Sequence, residues 1–368
     1  MFSTTILFLS LGAAVGGTKL PIYGPRKLAV LGSVLFGSGY LLGALALYFQ
    51  SLPLLYLGYG VVGGAGIGLA YVPPVATVAK WFPDKKGLAT GMVIMGFGLG
   101  AMIMSKLVAP LLLQVFDHSF PTVFAVLGVM FLLLATPIAW ALQDPPSGGA
   151  SSGGYGSGAG AVQVTSVRSL LTSGRFAMMW LVMFCNTVAG IMFIGFQSPM
   201  VQELWHRHDA SLTVEQLASY GATLIAISAL FNGVGRFAWG SLSDKLGRVT
   251  VFRIMLLSQF GAFLALGFVE SPWVFGALVC YILLCYGGGF GTVPAFVSDT
   301  FGAKMMAVAY GAILTTWGSA GIVGPQMVAW LRDQYPQNAS AYAFDVGAAF
   351  LFAGFLVSLG LSDPAKKA

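Results

Sequence analysis

The stretch GSLSDKLGR (Gly240–Arg248) decides the fold of this 368-residue chain, because an earlier stretch, GTKLPIYGPRK (Gly17–Lys27), repeats its pattern. Both stretches begin with a glycine and follow a long apolar segment. A second glycine is shared as well, since Gly24 precedes Gly247 by the same 223 residues that separate the two starts. A long internal repeat indicates that two similar units follow one another along the chain.

The composition around these stretches is too apolar for a soluble protein. Hydrophobic residues make up 57% of the chain, charged residues only 8%, and the mean hydropathy is +0.84. Soluble domains carry about 25% charged residues, so a soluble domain, a disordered chain and a nucleic-acid-binding protein are excluded. A membrane span needs roughly 20 apolar residues. Eleven segments qualify, at residues 1–17, 28–49, 53–79, 87–115, 120–142, 175–200, 217–242, 249–269, 272–299, 305–331 and 341–361.

Further pairs extend the repeat through these segments. GIGLAYVP at Gly66–Pro73 corresponds to GFGTVP at Gly289–Pro294, and Gly91 corresponds to Gly311. On this alignment the first segment is the counterpart of the seventh, and the sixth has no partner. We therefore expect a protein of six plus six helices whose first helix is missing here, so that five plus six are visible. The alternative is an authentic eleven-span protein with an external N-terminus.

The basic residues indicate how the segments are oriented. Alternate threading places 14 of the 18 lysines and arginines on one side, two on the other, and Lys106 and Arg236 within segments. Cytoplasmic loops are enriched in basic residues. The basic side is therefore expected to face the cytoplasm of a plasma (inner) membrane, with the C-terminus inside and Met1 outside. Lys106 is expected near the outer interface.

Residues 143–174 interrupt the pattern of apolar segments. They include SGGASSGGYGSGAGA (Ser147–Ala161), which is typical of a flexible glycine/serine linker. We expect an N-terminal bundle over 1–142, a cytoplasmic linker over 143–174 and a six-helix C-terminal bundle over 175–368. The predicted fold is therefore an all-α membrane protein of two pseudo-symmetric helical bundles, with a site between them.

Several stretches resemble a known family. Gly240–Arg248 resembles the loop motif G-x-x-x-D-[RK]-x-G-R of the major facilitator superfamily. Three longer stretches, Gly68–Ala101, Asn232–Arg248 and Cys285–Phe296, are similar to the oxalate:formate antiporter family, which is close to the monocarboxylate transporters. The resemblance implies the major facilitator fold and a secondary carrier of small organic anions, which typically works as a monomer.

The loop motif predicts a gating contact at the basic side. Its glycines permit close packing and a tight turn, and its acid can pair with a helix end or a nearby arginine. The motif residues are Gly240, Asp244, Lys245, Gly247 and Arg248. In the first-half copy Pro21 and Ile22 replace the acid and the basic residue, so no ionic latch is expected there.

Arg236 is the foremost candidate for substrate binding. It lies within an apolar segment, where an arginine is costly and usually faces a cavity, and its planar fork matches a carboxylate. Asn232, four residues earlier, shares its helix face and can donate to a carboxylate or hydroxyl oxygen. The resemblance assigns carboxylate binding to this arginine. Alternatively, Arg236 snorkels to the membrane interface.

Three aromatic residues complete the predicted substrate site. Tyr71 and Tyr286 occupy comparable places beside glycine-rich runs, and their phenols can hydrogen-bond a carboxylate; packing is the alternative role. Trp317 stands where the oxalate exchanger that this chain resembles has a lysine, which leaves one cation instead of two. The resemblance thus points away from oxalate and towards a monoanion such as lactate or formate. The tryptophan either covers the apolar side of the substrate or only packs between helices.

The sequence leaves the coupling of transport open. Proton-coupled relatives often carry an aspartate four residues before the helix arginine, where this chain has Asn232. Exchange for a counter-anion, uniport, and proton coupling through the missing helix all remain possible. The alternative to a carrier is a non-transporting sensor or an inactive truncated relative. An enzyme is not expected, because no catalytic, metal or cofactor pattern occurs in a suitable context.

Overall fold

The computed structural model describes residues 1–146 and 166–363, and within these ranges all regular structure is helical. The central part of the predicted linker, Ser147–Ala161, and the last five residues, 364–368, lie outside the described residues. The helices are α1 (Phe2–Tyr48), α2 (Leu52–Trp81), α3 (Pro83–Val115), α4 (Phe120–Trp140), α5 (Val167–Leu171), α6 (Gly174–Ile194), α7 (Gln197–His208), α8 (Val214–Leu246), α9 (Arg248–Leu266), α10 (Pro272–Ile313), α11 (Thr315–Gln334) and α12 (Ala339–Leu359).

Two of these helices are too long for a single crossing. In the described part of the chain nine helices are long and apolar enough to span a membrane, if α10 and α11 are counted together as 63 residues. At about 1.5 Å per residue, that helix and the 47-residue α1 far exceed a hydrocarbon core of about 30 Å. Each is broken inside, α1 at Gly24 and α10 at Gly302. Both breaks fall between predicted segments. The α1 helix and the combined α10–α11 helix therefore each cross the membrane twice, and the nine helices give the expected eleven crossings.

The repeat seen in the sequence is also visible in the backbone. Gly24 has φ 76° and ψ 165°, and its partner Gly247 has φ 98° and ψ 152°. Only glycine adopts this region without strain, so the two loops need glycine at the same place for the same reason. The basic residues beside both glycines define one end of the bundle, which we call the basic end.

Some predicted boundaries were wrong. The sixth segment was expected over 175–200, but α6 ends at Ile194 and the chain turns before α7 begins. The polar character of α7, which ends in His206–His208, explains why it does not continue the apolar span. The seventh segment, expected over 217–242, extends in both directions, because a Thr213–Gln216 capping box starts α8 early and α8 continues to Leu246.

The two halves of the molecule meet along several pairs of helices, among them α1 with α10 and α11, and α3 with α8 and α10. Here the first half means α1–α4 and the second half α6–α12. Gly17 in α1 lies against Ala307 and Gly311 in α10, and Gly98 in α3 lies against Gly233 in α8. Within the second half, α6 packs on α10, α11 and α12. No described helix takes the corresponding place in the first half, and the additional first helix stays a prediction.

Candidate functional site

Arg236 lies deep in the interface between the two halves. It is ten residues from the end of α8 at Leu246, which is about 15 Å along the helix. Only 2% of its surface is exposed. The side chain therefore does not snorkel to the membrane interface, which was the alternative for this residue. The prediction placed Arg236 nearer the basic end, because it ended the helix at residue 242.

The protein satisfies the Arg236 guanidinium only weakly. Its Nε donates to Asn232 Oδ1 at 3.4 Å and its Nη1 to the carbonyl of Ile94 at 3.5 Å, and both hydrogen bonds are long. No carboxylate of the described residues pairs with it. A guanidinium carries five N–H donors, so most of the donors of Arg236 remain available to a ligand. A buried cation without a counter-ion is a natural binding site for an anion.

Two phenylalanines compensate part of the cost of burying this charge. The guanidinium carbon lies 5.3 Å from the ring centre of Phe97 and 5.2 Å from that of Phe290. Such cation–π contacts stabilise a desolvated arginine by about 2 kcal/mol. Each phenylalanine stands in a Gly-Phe-Gly triplet, at residues 96–98 and 289–291. A Cβ atom on Gly98 or Gly291 would overlap the backbone of α8, so these glycines let both rings reach Arg236.

The predicted aromatic residues lie around the same guanidinium. The ring centre of Trp317 is 4.9 Å from that of Phe290 and 6.3 Å from that of Tyr71. Tyr286 packs on Phe290 with 5.3 Å between ring centres, and the guanidinium interacts electrostatically with the hydroxyls of Tyr71 and Tyr286. The structure thus brings together all five residues that were predicted to bind substrate. Their binding role itself stays a prediction.

Sequence reasoning missed three side chains of this site. Phe97 and Phe290 carry a signal in their shared Gly-Phe-Gly triplets, which the sequence prediction did not use for the site. Tyr310 carries no such signal, although its ring stacks on Tyr71 with 6.4 Å between centres. We call the complete set the Arg236 cluster. Its members are Tyr71, Phe97, Asn232, Arg236, Tyr286, Phe290, Tyr310 and Trp317.

The loop motif joins the two halves at the basic end. Asp244 accepts hydrogen bonds from the backbone N–H groups of Gly87 and Leu88 at 3.0 and 2.9 Å, at the beginning of α3. Its carboxylate also pairs with Arg248 at 2.7 Å. These contacts satisfy N–H groups that a helix start leaves unpaired, and they place a negative charge at the positive end of the helix dipole.

A second acid extends this contact. Asp299 pairs with Arg248 and Lys86, each at 3.0 Å, and so links α10 to the beginning of α3. Gly240 lies against the backbone of Gly87, where a Cβ atom would come within 2.6 Å of the carbonyl oxygen. Lys245 lies in the last turn of α8. The structure is therefore closed at the basic end by contacts between the halves.

The first-half copy of the motif makes no comparable contact. No ion pair of the described residues involves the loop around Pro21 and Ile22, and the Ile22 side chain is exposed. Lys106 also lies away from the Arg236 cluster, in a π-helical segment of α3 nine residues beyond Phe97. The basic-end contacts are thus asymmetric and depend on the second-half motif.

The fold and the site define a multi-pass helical membrane protein with a buried arginine, Arg236, that has no acidic partner among the described residues, between two bundles. Residues 1–325 match the family described as Major Facilitator Superfamily. The chain belongs to this superfamily of membrane transporters, as its motifs predicted. The fold agrees with a solved structure of the Escherichia coli fucose:proton symporter, with a TM-score of 0.72 and 15% identity over 98% of this chain and 90% of that chain.

Curated relatives are similar over most of the chain. It is 30% identical to apicoplast pyruvate carrier 1 of Toxoplasma gondii, over 83% of this chain and 64% of that protein, which is less than two thirds of its length. It is 26% identical to the oxalate:formate antiporter of Oxalobacter formigenes, over 96% of this chain and 80% of that protein. It is 30% identical to monocarboxylate transporter 13 of Bos taurus, over 93% and 75% of the two chains. The predicted resemblance is confirmed.

Proposed function

We propose that this protein is a secondary active transporter that moves a small organic monoanion, such as lactate or formate, by alternating access. The observation that carries the proposal is the buried Arg236 guanidinium, which has no acidic partner among the described residues. A substrate carboxylate supplies the missing charge and can bind the guanidinium through two parallel hydrogen bonds. The names of the relatives, a pyruvate carrier, an oxalate:formate antiporter and a monocarboxylate transporter, support this substrate class.

The surroundings of Arg236 favour one negative charge over two. Phe97 and Phe290 cover the guanidinium with apolar ring surface, and Trp317 packs on both of these rings. No second cation of the described residues contacts the two phenylalanine rings. A dianion would carry a second negative charge that no cation of this site compensates. Burying such a charge away from water is costly. A monocarboxylate with a short apolar or neutral part fits the same rings without that cost.

Transport requires the halves to separate at the basic end. The basic end is proposed to face the cytoplasm, following the distribution of basic residues. In the structure Asp244 and Asp299 hold this end closed. Release of the substrate to the cytoplasm therefore breaks the contacts of Asp244 with α3 and the ion pair between Asp299 and Lys86. The rings of the Arg236 cluster touch one another, so the same movement must open a path to the guanidinium.

The isolated charge also favours exchange as the mode of transport. An empty site leaves Arg236 buried without a counter-ion, and this raises the free energy of any state in which both ends are closed. A bound anion removes that penalty, so the loaded protein passes through the closed state more easily than the empty one. We therefore propose that the protein exchanges one monocarboxylate for another.

The test is uptake of labelled lactate into proteoliposomes that contain the purified chain. Liposomes loaded with unlabelled lactate are expected to accumulate label at least about tenfold faster than empty ones, because the loaded state is favoured. Arg236→Ala should abolish the exchange. Arg332→Ala is the matched control, because Arg332 also stacks on a phenylalanine, Phe196 at 4.8 Å, but outside the site. Lactate binding without exchange would instead indicate the non-transporting sensor.

A further inference from the structure

A groove of about 320 Å³ opens between α3 and α8, beyond the Arg236 cluster and towards the end of the bundle opposite the basic end. Nearer the basic end glycines bring the two helices into contact, since a Cβ atom on Gly98 would lie 2.6 Å from Gly233 Cα. Beyond this contact the facing positions carry larger side chains, and the helices leave a space between them. The apolar walls of this space, which we call the α3–α8 groove, are Met102, Ile103 and Leu107 from α3 and Ala226, Ile227 and Leu230 from α8.

Lys106 brings a positive charge to the α3–α8 groove, whose other described wall residues are all apolar. Its side chain is exposed and forms no ion pair or hydrogen bond with the described residues. Lys106 lies nine residues before α3 ends at Val115, which is about 14 Å along the helix. An unpaired cation inside a membrane segment is costly, so a counter-ion from outside the described residues would stabilise it.

The backbone around Lys106 also differs from an ordinary helix. Lys106 is the middle residue of a π-helical segment, Met104–Val108, and such segments occur frequently at functional sites. The Cα–Cβ bonds of a helix tilt towards its beginning, which for α3 is the basic end. The lysine side chain therefore starts away from the nearer membrane surface, and this geometry disfavours simple snorkelling to that surface.

The chemistry of the groove indicates what occupies it. Leu107 is 65% exposed although α3 spans the membrane, so the groove opens to the surrounding lipid. Its walls run for less than two turns of each helix, which is too short for the contact of several turns that a partner helix makes. Apolar walls suit an acyl chain, and the single lysine suits a head group with a net negative charge.

We propose that the α3–α8 groove binds an acyl chain of an acidic phospholipid, whose phosphate group pairs with Lys106. Because α3 belongs to the first half and α8 to the second, the lipid contacts both halves at once. It thereby stabilises the state seen here, in which the basic end is closed. The groove is separate from the Arg236 cluster, and the lipid is not a transported substrate.

The test is lipid binding to the purified chain, measured by native mass spectrometry. The lipids are phosphatidylglycerol and phosphatidylcholine with identical acyl chains, which differ in the net charge of the head group. Wild type is expected to bind phosphatidylglycerol at least about fivefold more tightly, which is the effect of one lysine on an anionic head group. Lys106→Gln should lower this preference about fivefold, whereas Lys106→Arg keeps the charge and should keep the preference.

Lys85→Gln is the matched control for loss of a positive charge. Lys85 is exposed and lies in the same helix as Lys106, but at the basic end, so this variant should keep the wild-type preference. Ala226→Phe places a ring in the groove and should weaken the binding of both lipids.

Three results would overturn the lipid site. They are an unchanged preference in Lys106→Gln, an equal loss of preference in Lys85→Gln, and unchanged lipid binding in Ala226→Phe. None of them bears on the proposed function, because lipid binding is measured without a transport substrate.

Discussion

Replacing Asn232 by aspartate should place a carboxylate in the site that competes with the substrate carboxylate for the Arg236 guanidinium. In the structure Asn232 Oδ1 lies 3.4 Å from Arg236 Nε. A carboxylate oxygen at the same place would attract the guanidinium by about 5 kcal/mol at an effective dielectric constant of 20. The cost of burying the new charge offsets part of this attraction. Any substrate carboxylate that binds the same guanidinium must overcome the net attraction that remains between the new aspartate and Arg236.

We expect Asn232→Asp to weaken lactate binding at pH 7.5 by at least about tenfold, which corresponds to about 1.4 kcal/mol. At low pH the new aspartate is protonated and neutral, and the affinity should return towards the wild-type value. Binding then takes up a proton, so the dissociation constant should fall as the pH falls. Asn232→Ala removes the amide without adding a charge and should show a smaller loss with no such pH dependence.

The assay is titration calorimetry of the purified variants with lactate between pH 5 and 8. Calorimetry in two buffers with different ionisation enthalpies also counts the protons taken up on binding. Unchanged affinity of Asn232→Asp at pH 7.5, with no proton uptake, would refute the reasoning. That result would mean that the guanidinium is not the group that holds the substrate carboxylate.

Three further predictions concern other parts of the molecule. Trp317→Lys adds a second cation at the rings that cover Arg236 and should raise the affinity for oxalate relative to lactate by at least about tenfold, as measured by competition binding; an unchanged ratio would contradict the one-charge account. Asp244→Asn should speed amide hydrogen exchange at Gly87 and Leu88, which it caps, by about tenfold, whereas Asp209→Asn, in the loop before α8, should not. Gly98→Ala should lower the melting temperature by several degrees, because its Cβ would lie 2.6 Å from Gly233 Cα. Gly261→Ala, where a Cβ meets open space, should leave the melting temperature unchanged. Equal effects of the two substitutions would show that the α3–α8 contact is not tight.

The sequence predicted the fold well, because hydropathy and the glycine repeat can both be read from the residues without knowing which helices pack together. The membrane imposes an apolar length on each crossing, and positive φ at Gly24 and Gly247 requires glycine at both places. The end of α6 was less predictable. The polar character of α7 ends the apolar span, but no residue type marks Ile194 as the place where α6 stops.

The candidate site could be predicted only in part. Arg236 was identifiable because a charge inside an apolar segment is rare. Phe97, Phe290 and Tyr310 were not identified, because aromatic residues are common in membrane helices and the sequence does not show which face they occupy. Their convergence depends on contacts between helices far apart in the chain. The partner of Asp244 was equally hidden, because the N–H groups at the beginning of α3 are backbone atoms with no sequence signature.

The central claim is that Arg236 holds the substrate carboxylate, and the most direct measurement is a thermal shift with lactate for wild type, Arg236→Gln and Arg332→Gln. A ligand that binds the folded state raises the melting temperature. We predict that lactate raises it for wild type and Arg332→Gln, and leaves it unchanged for Arg236→Gln. An equal rise in all three proteins would contradict the claim and place the carboxylate elsewhere in the molecule.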